Sequence, residues 1–123
     1  MIALVVDDSR ATRMIIRRLL VSVGYDVIEA CHGKDALERL ESEKDVAVAF
    51  IDWNMPHMNG IDLVTAIRQD STRDDMRLVM VTSETELWRV EAALQAGANE
   101  YVMKPFTVDI LKEKLALLGL VGG

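Results

Sequence analysis

Five short apolar runs alternate with five stretches of helical periodicity, and this strict alternation leaves few folds open to the chain. Ile2 to Val6 is rich in β-branched residues and reads as a buried strand. Ser9 is placed to cap a helix in which Met14, Ile15, Leu19 and Val23 recur at helical spacing, and Gly24 closes it. Tyr25 to Ala30 is the second strand, followed past His32-Gly33 by a helix carrying Ala36, Leu37 and Leu40. Val46 to Ile51 is the third strand, and Gly60 to Ile67 begins the third helix. Leu78 to Val81, a helix over Thr85 to Ala96 closed by Gly97, the strand Tyr101 to Met103, and a helix from Thr107 through Leu117 complete the series. Such alternation predicts an α/β fold: a (βα)5 doubly wound parallel five-stranded sheet with helices on both faces.

Composition bounds the function. At 123 residues and half hydrophobic, the chain suits one domain with one core. A net charge of −6 without a basic stretch argues against binding nucleic acid or an anionic membrane by this chain alone. The single cysteine, Cys31, excludes an internal disulfide and suggests a reducing compartment; it is expected as a small filler beside a turn. No apolar run reaches membrane-spanning length, and no basic leader precedes the first run. A cytoplasmic location is expected.

The strand ends carry the chemistry. In open α/β sheets, ligands bind at the carboxyl ends of the strands. Asp7-Asp8 end the first strand, Asp52 the third, Thr82 the fourth and Lys104 the fifth. Any one of them could be an ordinary exposed polar group. Five at the ends of four strands point to a site. Three converging carboxylates repel one another and call for a cation. Lys104 is one candidate, and Mg²⁺, with hard oxygen ligands and open positions for a phosphate oxygen, is the other, with Mn²⁺ possible in its place. A carboxylate of such a set can attack phosphorus and form an aspartyl phosphate, with Thr82 and Lys104 holding phosphoryl oxygens.

Other phosphate chemistries fit poorly. The chain has neither a G-x-x-x-x-G-K-[ST] loop nor a G-x-G-x-x-G after its first strand. Asp7-Asp8 would repel a flavin phosphate at the first loop. A haloacid-dehalogenase-like phosphatase would want D-x-D, but the stretch here is Asp52-Trp53-Asn54. The site reads as one that holds a phosphoryl group for a time.

The segments "VVDDS", "DWNMPHMNG", "VMVTSE", "AGANEYVMKPFT" and "EKL", in this order and spacing, resemble the response-regulator receiver domain, and within it the CheY-like chemotaxis regulators. The strand order 2-1-3-4-5 of the flavodoxin/CheY-like fold is what this resemblance implies. It further implies Asp52 as phosphoacceptor, with Asp7, Asp8, Asp52 and the backbone carbonyl of Asn54 holding the metal. Thr82 would be the switch hydroxyl, Tyr101 the switch aromatic and Lys104 the phosphoryl-binding lysine, in a cis Lys104-Pro105 peptide. Asn54 and Glu84 would tune dephosphorylation.

The resulting expectation is a stand-alone response regulator of a two-component phosphorelay, of the chemotaxis type. Residues 1–123 would form one receiver domain with no effector domain. A histidine kinase would be the phosphodonor and a downstream protein the target. The chain would be no enzyme beyond self-directed phosphoryl transfer and autodephosphorylation. The output face is expected on the fourth helix, fifth strand and fifth helix, with the Leu87, Val90 and Leu94 side partly exposed beside Tyr101 and Lys114, and Ala92, Ala93 and Ala96 turned to the sheet. The alternatives are a phosphorelay intermediate, or a receiver fragment of a larger DNA-binding or enzymatic regulator. His57 is expected as an exposed loop residue, Arg73-Asp74-Asp75 as a solvated loop, and Met14, Met80 and Met103 as core fillers.

Overall fold

Strand pairing is parallel throughout, in the order β2-β1-β3-β4-β5. The strands are β1 (Ile2–Val6), β2 (Asp26–Ala30), β3 (Val46–Asp52), β4 (Arg77–Thr82) and β5 (Glu100–Met103). The helices are α1 (Arg10–Ser22), α2 (Gly33–Ser42), α3 (Gly60–Arg68), α4 (Val90–Ala96) and α5 (Val108–Leu117). This computed structural model describes residues 1–53, 55 and 58–120, with residue 84 described through its backbone alone. The expected α/β architecture is therefore present, and so is the strand order implied by the resemblance.

The period of two along each strand divides the core. Leu4, Val6, Ala49, Ile51, Leu78 and Met80 face one side and pack with Ala36, Leu40, Leu63, Ile67 and Ala93 of α2, α3 and α4. Ala3, Val5, Val48, Phe50, Val79 and Val81 face the other and pack with Ile16, Leu20, Leu111 and Leu115 of α1 and α5. Both faces of the central strands are covered, so they are apolar without alternation.

Side-chain caps start four of the helices. Ser9, His32, Asn59 and Thr107 each accept from a backbone N–H three residues on. Gly97 ends α4 at φ 123, a left-handed conformation, with the stem of Arg68 laid over it.

Several sequence expectations need correction. The buried stripe of α1 is Ile16 and Leu20, followed by Val23; Met14 and Ile15 are exposed. The runs Met14-Ile15-Ile16 and Leu19-Leu20 fill two adjacent helical registers, so spacing alone could not choose between them. Of the three methionines, Met80 is buried, whereas Met14 and Met103 are exposed. Cys31 is exposed and fills nothing. The segment expected as one helix from Thr85 is a 3₁₀ stretch, Glu84–Arg89, before α4 begins at Val90. Arg73 is buried, not solvated: its guanidinium donates to the carbonyls of Leu40 and Glu43 and so ties off the end of α2. Asp74 and Asp75 are exposed, as expected.

Candidate functional site

The register of the sheet levels the strand ends. Val6 pairs with Ile51, Asp52 with Val81, and Thr82 with Met103. Asp7 follows Val6, and Lys104 follows Met103 with its N–H donating to Thr82 O at 2.8 Å. Gly60 N–H donates to Trp53 O at 3.0 Å, which holds the start of α3 against the end of β3. A Cβ on Gly60 would stand 2.9 Å from Asp52 O and 2.6 Å from Met80 Cε, so the close approach needs glycine.

Asp7, Asp8 and Asp52 meet at this edge, each with a carboxylate oxygen within 4.8 Å of the others. Asp8 is exposed, whereas Asp7 and Asp52 are buried at 1% and 4% exposure. Lys104 Nζ donates to Asp52 Oδ1 at 3.0 Å and lies 3.9 Å from Asp7 Oδ2. Asp7 Oδ1 accepts from Ser9 N–H at 2.8 Å, and Asp7 O accepts from Arg13 Nη1 at 2.6 Å. Thr82 is buried, and its hydroxyl donates to Ser83 O at 3.3 Å.

Burial dominates the electrostatics. It raises Asp52 to about 6, opposed by the hydrogen bond from Lys104 and reinforced by the charge of Asp7. Asp7 is raised for the same reason, against the Ser9 N–H and Lys104. Burial alone would lower Lys104, but the hydrogen bond and charge of Asp52, with Asp7 behind, outweigh it and the ammonium is held above its usual range. One ammonium thus faces three carboxylates. Asp7 Oδ2 is buried and has no hydrogen-bond donor among the described residues. An orphaned carboxylate oxygen, two further carboxylates within reach and all-oxygen donors fit a hard divalent cation.

The structure thus brings together Asp7, Asp8, Asp52, Lys104 and Thr82. Lys104-Pro105 is cis, as the resemblance implies. Asn54 lies outside the described residues, as do Pro56, His57 and the side chain of Glu84. Tyr101 is half-buried on β5, with Lys114 Nζ 4.4 Å from its ring centroid and 3.1 Å from Glu100 Oε1. Leu87 and Leu94 are exposed, Val90 is half-buried, and Ala93 is turned to the sheet. Ala96 is half-buried and packs against the core as expected, but Ala92 is exposed, because it lies about 100° round the helix from Ala93.

Sequence reasoning missed one feature next to the site. Arg89 lies between two indoles, its guanidinium 5.2 Å from the Trp53 centroid and 4.7 Å from that of Trp88. Trp53 is buried directly beside Asp52, and Trp88 is 74% exposed. The signal available was two tryptophans in a chain poor in aromatics, one touching the acid in sequence and one preceding an arginine.

Comparison with known proteins gives the family. A family model described as response regulator receiver domain matches residues 3–116. Chemotaxis protein CheY1 of Helicobacter pylori is 48% identical over 116 residues, 94% of each chain. The chemotaxis protein CheY homolog of Campylobacter jejuni is 49% identical over 113 residues, 91% of this chain and 87% of that one. Vibrio cholerae chemotaxis protein CheY4, a solved structure, is 31% identical with a TM-score of 0.87, over 95% of this chain and 97% of that one. The chain belongs to the response-regulator receiver family and is a chemotaxis-type, CheY-like member of it.

Proposed function

We propose that the protein takes a phosphoryl group from a histidine kinase onto Asp52 and, in that form, changes its affinity for a downstream protein. The observation that carries the reading is the contact of Lys104 with a buried Asp52, at a mouth shared with Asp7 and Asp8. In the transfer, an Asp52 carboxylate oxygen bonds to phosphorus while the bond to the donor imidazole breaks, and the electron pair leaves with that nitrogen. Asp7 and Asp8, with Asp52, would hold Mg²⁺ or Mn²⁺, and Asn54 would add its carbonyl. When bound, that ion supplies neutralising charge to the phosphoryl oxygens. Lys104 moves from the carboxylate to a phosphoryl oxygen as a point charge. Thr82 gives up its weak bond to Ser83 O and donates to another.

A new phosphate brings roughly −2 charge into the mouth. Thr82 then moves toward it, and Tyr101 rotates into the space behind, altering the face of α4, β5 and α5. Asn54 and Glu84, two residues after Asp52 and Thr82 in the sequence, set the loss of the phosphoryl group to water. The chain acts on itself and does not turn over a conventional substrate. Residues 1–123 work as one receiver unit. Among the described residues no helix is long and apolar enough to cross a membrane, and we place the protein in the cytoplasm.

The test is stoichiometry. With Mg²⁺, a small acyl phosphate should label each chain once, label should decay to inorganic phosphate, and chelation should prevent labelling. Steady hydrolysis of small phosphate esters would contradict the reading.

A further inference from the structure

The chain carries 14 Lys and Arg against 20 Asp and Glu, yet arginine lines one of its grooves. The groove encloses about 570 Å³ beside the edge strand β2, between α1 and α2. Arg10, Arg13 and Arg17 come from α1, where spacings of three and four put them on one face, and Arg39 comes from α2. Glu29 and Asp35 also line it, and both are already engaged. Glu29 accepts from Arg13 Nε at 3.2 Å and from Arg17 Nη1 at 2.8 Å. Asp35 accepts from the Cys31 N–H at 3.0 Å and stands 3.9 Å from Arg39 Nε. Arg10 makes no ion pair among the described residues. Each guanidinium has five N–H donors in a fixed fork, so donors in the groove far outnumber acceptors.

We infer that this groove is a docking site for an acidic segment of a protein partner, a short stretch carrying several Asp or Glu. The charge balance inside the groove is opposite to that of the chain. At physiological salt the Debye length is about 8 Å, so a short segment seated here meets the arginines and is screened from most of the acidic surface. A long nucleic-acid strand would run past the groove onto that surface, with its charge unmatched. Planar guanidinium forks fit carboxylates two oxygens at a time, which gives a peptide direction as well as attraction. The groove goes beyond the phosphoryl chemistry and also borders it, because Arg13 holds Asp7 O at 2.6 Å. It lies at the β2 edge of the sheet, opposite β5, so an occupant leaves the α4-β5-α5 face open.

Cys31 lines this groove, is exposed, and is the one cysteine of the chain. Its alkylation by iodoacetamide therefore reports occupancy in the intact protein. An oligoglutamate peptide is the probe, and the readout is the ratio of alkylation rates with and without it. The peptide should slow alkylation severalfold at low salt, with protection fading as salt rises. In the double variant Arg10→Glu, Arg39→Glu, half-protection should need on the order of tenfold more peptide. Both side chains are exposed and tie no elements together, and Arg17→Glu serves as an independent variant. Lys112→Glu, exposed on α5, should change nothing. Absence of protection, equal protection in wild type and the double variant, or stronger protection by an oligothymidylate would each overturn the inference.

Discussion

Lys104 reaches back across the sheet edge to donate to Asp52 Oδ1 at 3.0 Å, and this single bond does not offset the burial of the acid. Two residues from the ends of β3 and β5 thereby form a pair that is poised and costly. The carboxylate is held at about 6, above its ordinary 3.8.

That cost fixes a pH dependence. A carboxyl raised in the folded state contributes stability that is full below 3.8 and is lost as pH rises through about 6. The rise corresponds to ~3 kcal/mol. In chelator, Asp52→Asn should therefore be more stable than wild type at pH 7, by up to that amount, and no more stable at pH 4. Urea unfolding at the two pH values checks this.

Glu29 should behave in the opposite sense. Burial is the largest single influence and raises it, but the hydrogen bonds and charges of Arg17 and Arg13 together outweigh it and lower it. A depressed carboxyl contributes stability present above its unfolded value and lost as pH falls through its folded one. Both ion pairs are partly exposed, so Glu29→Gln should cost ~0.5–1 kcal/mol at pH 7. The cost should shrink as pH falls below 4.5, by the same unfolding measurement.

The arginine between two indoles predicts an optical change. Arg89 covers Trp53, and a cation–π contact of this kind is worth ~0.5–1 kcal/mol or more. In a Trp88→Phe background, Trp53 is the remaining tryptophan of the chain. Adding Arg89→Ala there should increase quenching of Trp53 by acrylamide. Unchanged quenching would mean that other side chains shield the ring.

The proposed output face yields a separable pair of variants. Leu94 is exposed on α4, so Leu94→Asp should weaken binding of a partner that prefers the phosphorylated form, while labelling of the chain stays normal. Thr82→Ala should accept phosphate yet lose much of the phosphorylation-dependent gain, which for couplings of ~1–3 kcal/mol is about 5- to 150-fold. Titrations of the partner against both forms measure each effect.

What could be read in the sequence follows from the range of the forces involved. Strand ends were legible, because β-branched runs stop at Asp7, Asp52, Thr82 and Lys104, and a parallel sheet must bring such ends to one edge. Helix starts were legible where a capping side chain bonds three residues ahead, as at Ser9 and Thr107. The start of α4 was not. Ser83 spends its hydroxyl on Glu86 and Thr85 rather than on a backbone N–H, and Arg89 is drawn over Trp53. Arg73 was misread because its acceptors, Leu40 and Glu43, come from a distant part of the chain. The heights of Asp7 and Asp52 above the core, and hence their raised ionisation, also depend on packing that no local pattern reports.

The most direct measurement of the central claim is the intact mass of wild type and Asp52→Asn after exposure to a small acyl phosphate with Mg²⁺. One added phosphoryl group is expected on wild type, none on Asp52→Asn, and none on wild type in chelator. A phosphoryl group on Asp52→Asn would contradict that claim.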